Sequence, residues 1–383
     1  MNGGPPDGQA AAQAEARVIS SYADARAILV SSAARVPADS PPPLSAGGGP
    51  TDKLVARGVL LRGLWMWGCD TERRAPCRKA AAAAIGAGAV ERLGPCLESR
   101  ADALLGSAME GGDTDLVAAF ARPLVRDALM ELFGIAPGAR AALQAQVGAM
   151  SGFIPGNGGG GTARYFALAA TAKALEEVWT RPLPPLAAAS RSLAGAVEGG
   201  ELSLDEALAQ ATLLLFGNSY TTLDALAGLM ARVAERPDLW SSVRQGSLPV
   251  AALVEEGLRL GPPTHLLLFR DADEEIRCPS GTIPAGARIV LPLDRLNRDP
   301  DSFERADAFE PERTGPPHLA FGAGRHMCVG LHLARAVIRS GIEALARRLP
   351  EWSAGTIVSR APGILGGPSV AGIRLPAGAL RPC

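Results

Sequence analysis

The chain has 383 residues, of which 38 are basic and 39 are acidic, so its formal net charge is −1 at pH 7. This balance offers no electrostatic basis for binding nucleic acid or a strongly acidic partner. The length exceeds that of most single hydrophobic cores, which predicts either two domains or one broad, mainly helical body.

The chain shows no pattern for targeting or membrane insertion. Residues 1–13 have neither the basic nor the apolar region of a signal peptide, and we expect residues 1–16 to form a disordered tail. The longest charge-free helical stretch, residues 207–223, is shorter than a membrane span and contains polar side chains, which indicates a buried helix. Six cysteines fit no zinc-ligand spacing. We therefore predict a soluble, cytoplasmic protein with reduced thiols.

Helical periodicity dominates the chain. Ala, Leu and Arg recur at spacings of three and four residues, which is typical of helices with one buried face. The predicted helices span residues 21–31, 75–109, 116–133, 165–180, 186–197, 203–236, 249–260 and 330–348.

Strand patterns are few and short. Residues 283–291 predict a turn followed by a strand, and residues 372–375 predict a strand near the C-terminus. Two segments rich in Gly or Pro, residues 40–50 and 156–161, predict flexible connections.

The most informative segment is the sequence FGAGRHMCVG at residues 321–330, in which glycines flank the single Cys328. Glycines allow the backbone to turn tightly and to approach a flat group closely, and they leave N–H groups that can point at the sulfur and lower its basicity. A helix beginning just after Cys328 would add its N-terminal dipole. A cysteine in a glycine loop is otherwise a small buried side chain, which is the alternative interpretation.

This segment resembles the haem-binding loop of cytochromes P450, because Phe321, Gly324, Cys328 and Gly330 meet the whole pattern Phe-x-x-Gly-x-x-x-Cys-x-Gly. The resemblance extends from about residue 21 to the C-terminus. It implies a mainly α fold, a P450-like helical prism with a small β-rich lobe, formed by one domain over residues 17–383. It also implies a haem b whose iron has Cys328 as its axial thiolate ligand. The loop residues expected to contact the cofactor are Phe321, Gly322, Gly324, His326 and Gly330.

The resemblance assigns further residues around the cofactor. Glu256 and Arg259 match the family's Glu-x-x-Arg pair, which implies a structural role behind the haem, locked to a segment after residue 297. The haem propionates require cations, because a buried dianion is costly without them. The matching positions are Arg74, Arg78, Arg270 and His318. Many bacterial relatives have histidine where Arg74 stands, and arginine makes the charge permanent.

The central helix departs from the family pattern Ala-Gly-x-Asp/Glu-Thr. Counting back from Glu256 without gaps places Gly217, Asn218, Ser219, Tyr220 and Thr221 on those positions. Thr221 keeps the alcohol, but Tyr220 replaces the acid that relays protons. A phenol with a pKa of about 10 donates protons less readily than a carboxyl group near 4, and we expect the usual relay to be impaired.

Three alternatives for this helix remain open. The relay is dispensable, which the missing acid favours, or water reaches the reaction through Thr221 and Ser219. Asp224, one turn beyond Tyr220, is a third acid–base candidate, although it suits a substrate amine or an arginine equally well.

Candidate substrate contacts come from position alone. Residues 60–67 match the family's first substrate-recognition region, and their two tryptophans are notable in a chain with 4% aromatic residues. Core packing is the competing interpretation of the tryptophans. The candidates are Leu64, Trp65, Trp67, Thr264, His265, Leu266 and Gly367.

Together these features favour a haem-thiolate monooxygenase that oxidatively tailors a small hydrophobic or aromatic natural product. One alternative is an O2-independent or peroxide-dependent transfer or rearrangement. Another is a haem-containing binding or scaffold protein without turnover. The resemblance implies a monomer that receives electrons from a ferredoxin or flavodoxin, for which the arginines at 325, 335, 339, 347 and 348 offer a basic face.

Overall fold

The structure is a computed structural model that describes residues 16–37, 49–68, 72–110, 114–153, 161–263, 268–349, 356–360 and 369–375. Helices account for most of these residues. They are α1 (Tyr22–Val30), α2 (Pro50–Gly63), α3 (Arg74–Ile85), α4 (Ala87–Glu110), α5 (Arg122–Leu132), α6 (Pro137–Ala149), α7 (Ala163–Trp179), α8 (Ala188–Glu198), α9 (Leu204–Ala234), α10 (Pro237–Arg244), α11 (Val250–Leu260), α12 (Leu293–Leu296) and α13 (Leu331–Arg348). A π-helical turn (Val117–Ala121) precedes α5, and 3-10 turns follow α6 (Met150–Phe153) and precede α13 (Gly324–His326).

The strands form three small sheets. They are β1 (Arg17–Val18), β2 (Ala34–Arg35), β3 (Thr114–Asp115), β4 (Leu268–Ala272), β5 (Ile276–Cys278), β6 (Gly281–Ile283), β7 (Arg288–Leu291), β8 (Thr356–Arg360) and β9 (Ser369–Leu375). The first sheet has the order β1-β7-β4-β2, the second β3-β9-β8, and β5 pairs with β6 as a hairpin. In the first sheet Arg270 pairs with Ile289, and this register fixes the position of Arg270 at the functional site.

Helix α9 is the centre of the helical body. It has 31 residues and buries side chains around its whole circumference, as expected for a helix surrounded by others. Its N-terminus is closed by a capping box, in which Ser203 Oγ accepts from the Glu206 N–H and Glu206 accepts from the Ser203 N–H. Glu206 also pairs with Arg73 at 2.6 Å, which ties the start of α9 to the start of α3.

The main core packs around α9, and a second core lies between α1 and the first sheet. The second core includes Tyr22, Ile289 and Phe303. No helix in the described ranges is both long and apolar enough to cross a membrane.

Most predicted elements are confirmed, with differences that have local causes. The predicted helix 75–109 is two helices, because Gly86 leaves the helical conformation with ψ 179°. The sequence missed α2, α6 and α10, each of which begins with proline, at Pro50, Pro137 and Pro237. Proline suits the first turn of a helix, so this signal was available. The predicted loops 40–50 and 156–161 lie mostly outside the described residues.

Helices α2 and α7 cross at a glycine. A Cβ on Gly58 would lie 2.0 Å from the carbonyl oxygen of Tyr165, a backbone atom that cannot move aside as a side chain would. We expect Gly58→Ala to lower the free energy of unfolding by about 1–3 kcal/mol through overpacking. Gly63→Ala, in the same helix with no atom within 4 Å of the added Cβ, should instead stabilise by about 0.5–1 kcal/mol. Denaturant titration of both variants measures the difference, and equal effects would contradict the described crossing.

Candidate active site

A cavity of about 1510 Å3, including its opening to solvent, lies between α9, α3, β4 and the cysteine loop. Most of its lining is apolar. Cys328 reaches the cavity from the loop side, and the α9 residues Gly217, Tyr220 and Thr221 face it from the opposite direction. The cavity therefore brings together the two segments that the sequence singled out.

The cysteine loop owes its shape to two glycines. Gly322 and Gly324 have φ of +67° and +66°, a region that other residues rarely adopt. A Cβ on Gly324 would also lie 2.4 Å from the carbonyl oxygen of Leu29. The Cys328 N–H donates to the carbonyl of Phe321 at 2.9 Å, which closes the loop just before α13 begins.

The environment of the Cys328 thiol has opposing effects on its pKa. The side chain is open to the cavity, but desolvation by the protein around it raises the pKa, whereas the Gly330 N–H and the positive charges of Arg78 and Arg335 lower it. The net shift is upward. The predicted N–H contact to the sulfur is thus present, but desolvation outweighs its effect on the free thiol.

Permanent cations line the cavity beside the loop. Arg74 lies with its terminal nitrogen 3.2 Å from His326 Nδ1, and Arg78 donates to the Met327 carbonyl at 2.7 Å. Arg270 is 4% exposed and donates to the Phe269 carbonyl at 2.7 Å. Arg78 has no carboxylate partner in the part of the chain that the structure describes. Cationic side chains lining a cavity are suited to binding an anionic group there.

His318 lies outside this set, and its contact with a propionate stays a prediction. Its ring lies outside the cavity lining, with Nε2 3.2 Å from Glu255 Oε2. Burial would raise the pKa of Glu255, but hydrogen bonds from Arg335 and His318 lower it to about 2. His318 therefore faces a carboxylate below the loop, and His326 lines the cavity.

Glu256 and Arg259 form a buried pair behind the loop. Arg259 donates to both Glu256 carboxylate oxygens at 2.7 Å. Its remaining donors reach the carbonyls of Asn297, Ala306 and Ala308 at 2.6 to 2.9 Å. The pair thus fastens α11 to the segment after residue 297 and does not reach the cavity.

The cavity face of α9 separates its predicted residues into two groups. Gly217, Asn218, Tyr220 and Thr221 line the cavity, whereas Ser219 and Asp224 are not part of the lining. The Thr221 hydroxyl donates to the Gly217 carbonyl at 2.6 Å.

Two other α9 hydroxyls differ in where they point. The Ser219 hydroxyl donates to the Leu215 carbonyl at 2.6 Å, away from the cavity, so the predicted route for water through Ser219 is not supported by its position. Thr222, which sequence reasoning missed, is buried at the cavity wall, and its hydroxyl has no hydrogen-bond partner in the described ranges.

The predicted substrate contacts also divide. Trp67 lines the cavity, but Trp65 is fully buried and donates from Nε1 to Thr212 Oγ1 at 3.2 Å. Leu64 packs against the core and is not part of the lining. Trp65 therefore packs in the core, as the competing interpretation expects. Thr264, His265, Leu266 and Gly367 lie outside the described residues.

Met66 and Phe216 line the cavity and were missed by sequence reasoning. Their neighbours gave the available signal. Met66 lies between the two tryptophans, and Phe216 directly precedes Gly217.

Asn218 makes a close contact with the cysteine loop. A Cβ on Gly330 would lie 2.6 Å from Asn218 Oδ1 and 3.0 Å from its Nδ2, so the amide occupies the space that an alanine would need. Asn218 itself donates to the Leu214 carbonyl at 3.0 Å. Gly330 and Asn218 are therefore complementary in size, because the missing side chain at 330 leaves room for the amide at 218.

We expect Gly330→Ala to lower the free energy of unfolding by about 1 kcal/mol, because the Asn218 amide must turn aside and give up its hydrogen bond to the Leu214 carbonyl. In an Asn218→Ala background the same change should cost less than about 0.5 kcal/mol, since the amide is gone. Denaturant titration of the four proteins of this cycle measures the coupling. Additive effects would show that the two positions are not in contact.

The polar side chains around the cavity are suited to binding a haem. One thiol faces the cavity, arginines and His326 stand beside it for two carboxylates, and the remaining lining is mostly apolar. A thiolate is an established axial ligand of haem iron, and buried cations are what propionates require.

Comparison with known proteins identifies relatives of one kind. A family model described as Cytochrome P450 matches residues 185–348. Cytochrome P450 107B1 of Saccharopolyspora erythraea is 30% identical over 279 residues, which cover 72% of this chain and 67% of that protein. The monooxygenase PikC of Streptomyces venezuelae is 32% identical over 40% of this chain and 37% of its own length.

Solved structures agree with this fold. P450BioI, in complex with an acyl carrier protein ligated to hexadec-9Z-enoic acid, superimposes with a TM-score of 0.80 at 21% identity, over 94% of this chain and 92% of that chain. GfsF superimposes with a TM-score of 0.77 at 26% identity, over 93% and 89% of the two chains. The predicted helical prism with a small β-rich lobe is confirmed.

Proposed function

Because this chain belongs to the cytochrome P450 family of haem-thiolate oxidoreductases, we propose that it is a monooxygenase that tailors a small hydrophobic or aromatic natural product. The observation that carries the proposal is the position of Cys328, which faces a largely apolar cavity opposite Thr221 and beside three arginines.

Each group around the cavity has a distinct task in this proposal. Cys328 would supply the axial thiolate, and Arg74, Arg78, Arg270 and His326 would hold the propionates. When bound, the haem supplies the redox chemistry that inserts an oxygen atom from O2 into the substrate. Thr221 stands at the position of the alcohol in the family pattern. Its hydroxyl would pass protons to the side of the cavity that faces Cys328.

The substrate would be held by shape and apolar contact. Met66, Trp67, Leu213 and Phe216 line the same cavity as Thr221, and an apolar substrate would exclude water from it. The activities for which relatives are named fit this class. TxtC is described as hydroxylating thaxtomin at aliphatic and aromatic positions, and one curated relative from Pseudomonas putida is a linalool 8-monooxygenase.

A second candidate function is an O2-independent or peroxide-dependent reaction. It is favoured by Tyr220, which stands at the position of the acid and whose hydroxyl donates to the Gly148 carbonyl at 3.1 Å. CxnD, a structural neighbour described as forming a C–S bond, shows that products of this fold extend beyond alcohols.

Substrate titration and turnover together test the two functions. We expect apolar aromatic candidates to displace distal water and change the ferric absorption spectrum, and product to require both O2 and an electron donor. Product formed with peroxide alone, at a rate independent of electron supply, would favour the second function. Haem binding without any turnover of candidates that bind would favour the scaffold alternative.

The basic face that the sequence predicted for an acidic electron carrier is weaker in the structure, because its arginines have partners within the chain. Arg335 pairs with Glu255, Arg339 with Glu343, and both Arg347 and Arg348 with Asp102. Arg325 donates to the carbonyls of Ser32 and Ala34. We propose that the carrier docks around the exposed Met327, beside the cysteine loop, with these paired arginines at the rim.

We expect reduction by an acidic ferredoxin to slow as salt rises. Exposed charges act over roughly 30 Å at about 0.01 M salt but over only roughly 3 Å at about 1 M. Stopped-flow reduction across this range measures the effect, and Arg339→Gln should reduce the salt slope because Arg339 is 54% exposed. A rate that does not change with salt would remove the electrostatic docking proposal.

A further inference from the structure

The hydroxyl of Tyr220 joins two helices. Tyr220 lies on α9 at the cavity, and it donates to the carbonyl oxygen of Gly148 at 3.1 Å. Gly148 belongs to the last turn of α6, and the 3-10 turn Met150–Phe153 follows directly. The phenol proton therefore points at the backbone of α6 and not at the reacting region near Thr221.

An aromatic cluster continues from this link into the core beside the cavity, and Phe216 is its member in the cavity lining. The Phe216 ring lies 6.3 Å from Tyr220 and 6.3 Å from Phe153, and Phe153 lies 5.3 Å from Trp65 and 5.0 Å from Tyr165. We call Trp65, Phe153, Tyr165 and Phe216 the roof cluster.

Two arginines pack on the roof cluster from outside. The Arg62 guanidinium lies 4.9 Å from the Trp65 ring centre, and that of Arg164 lies 5.2 Å from Phe153. Arg164 also donates to the Gly152 carbonyl at 2.5 Å. These contacts hold the segment after α6 against α7 and the tryptophans, whereas the Tyr220 bond joins the end of α6 to α9.

We infer that Tyr220 is a positioning residue that fastens the end of α6 to α9, and that it thereby limits how fast ligands enter and leave the cavity. The T-shaped ring contacts of Phe153 in the roof cluster tolerate small sliding, but a hydrogen bond to one carbonyl fixes the two helices in one register. Loss of the hydroxyl leaves the packing in place and increases the population in which α6 has moved. The inference rests on the proposed function only for the identity of the ligands.

The test compares two Tyr→Phe variants. Tyr220→Phe removes the hydroxyl that bonds to Gly148, and Tyr165→Phe removes a hydroxyl from the roof cluster without touching that bond. We expect Tyr220→Phe to raise the amide hydrogen exchange of residues 148–153 about 5-fold, the scale set by one neutral hydrogen bond. Rebinding of carbon monoxide after photolysis, and both association and dissociation of phenylimidazole, should accelerate by a similar factor. Tyr165→Phe should change neither measurement.

Hydrogen exchange does not depend on the haem, so it judges the inference separately from the proposed function. Exchange of residues 148–153 that is equal in Tyr220→Phe and in the unaltered protein would overturn the inference. Equal acceleration in both variants would also overturn it, because the effect would then belong to the roof cluster as a whole. Unchanged ligand rates combined with a large loss of coupled product would instead identify Tyr220 as a proton donor.

Discussion

Replacement of Cys328 by serine is expected to abolish the red-shifted Soret band that cysteine-ligated haem shows in the reduced carbon monoxide complex. A serine hydroxyl is neutral in the working pH range and is a poor ligand for haem iron, so the electron donation of the thiolate is lost. The reduced carbon monoxide difference spectrum measures this directly. Monooxygenase activity should disappear with the band.

Cys278→Ser is the matched control. Cys278 is partly exposed at the end of β5 and does not line the cavity, so its replacement should leave the spectrum unchanged. A red-shifted band that survives in Cys328→Ser would show that another residue ligates the iron. Such a result would remove the basis of the proposed function.

Replacement of Thr221 by alanine is expected to cut coupled product about 10²-fold and to divert electrons to hydrogen peroxide. The Tyr220 hydroxyl donates a hydrogen bond to the Gly148 carbonyl and does not replace the acid of the relay. Thr221 lines the cavity at the family's relay position, so its hydroxyl is the proton donor expected there. Loss of a positioned proton donor typically lowers the rate by roughly 10²-fold or more. The measurements are product formed and peroxide released per electron supplied.

Ser219→Ala is the control for this prediction. It deletes a hydroxyl two residues away that donates to the Leu215 carbonyl and does not line the cavity, and coupling should be unchanged. Near-normal product in Thr221→Ala would mean that no relay through this alcohol is needed. That result would favour the peroxide-dependent or O2-independent reaction, which the missing acid suggested at first.

The sequence predicted the local parts of the site well. The cysteine loop can be identified from ten consecutive residues, because the glycine positions and the thiol define its geometry without reference to the rest of the chain. Helix α9 was also predictable, since its capping box and its all-round apolar pattern are local features.

Features that depend on distant partners could not be predicted in this way. His318 and His326 lie eight positions apart, and nothing in the sequence shows that His318 pairs with Glu255 while His326 lines the cavity. The partner of Tyr220 lies 72 residues earlier, at a backbone carbonyl with no sequence signature. The sequence therefore revealed a missing acid but not what the phenol does instead.

The pairing of Glu256 with Arg259 has a consequence for how mutational screens of this protein should be interpreted. Removal of one partner from a buried pair typically costs about 3–5 kcal/mol, which is a large share of the stability of an ordinary domain. Variants at Arg259 should therefore be depleted by cellular proteases before their catalysis is measured. A screen that scores only product would rank Arg259 beside Cys328, whereas a screen that also scores abundance would separate a residue needed to keep the protein from one needed to make it work.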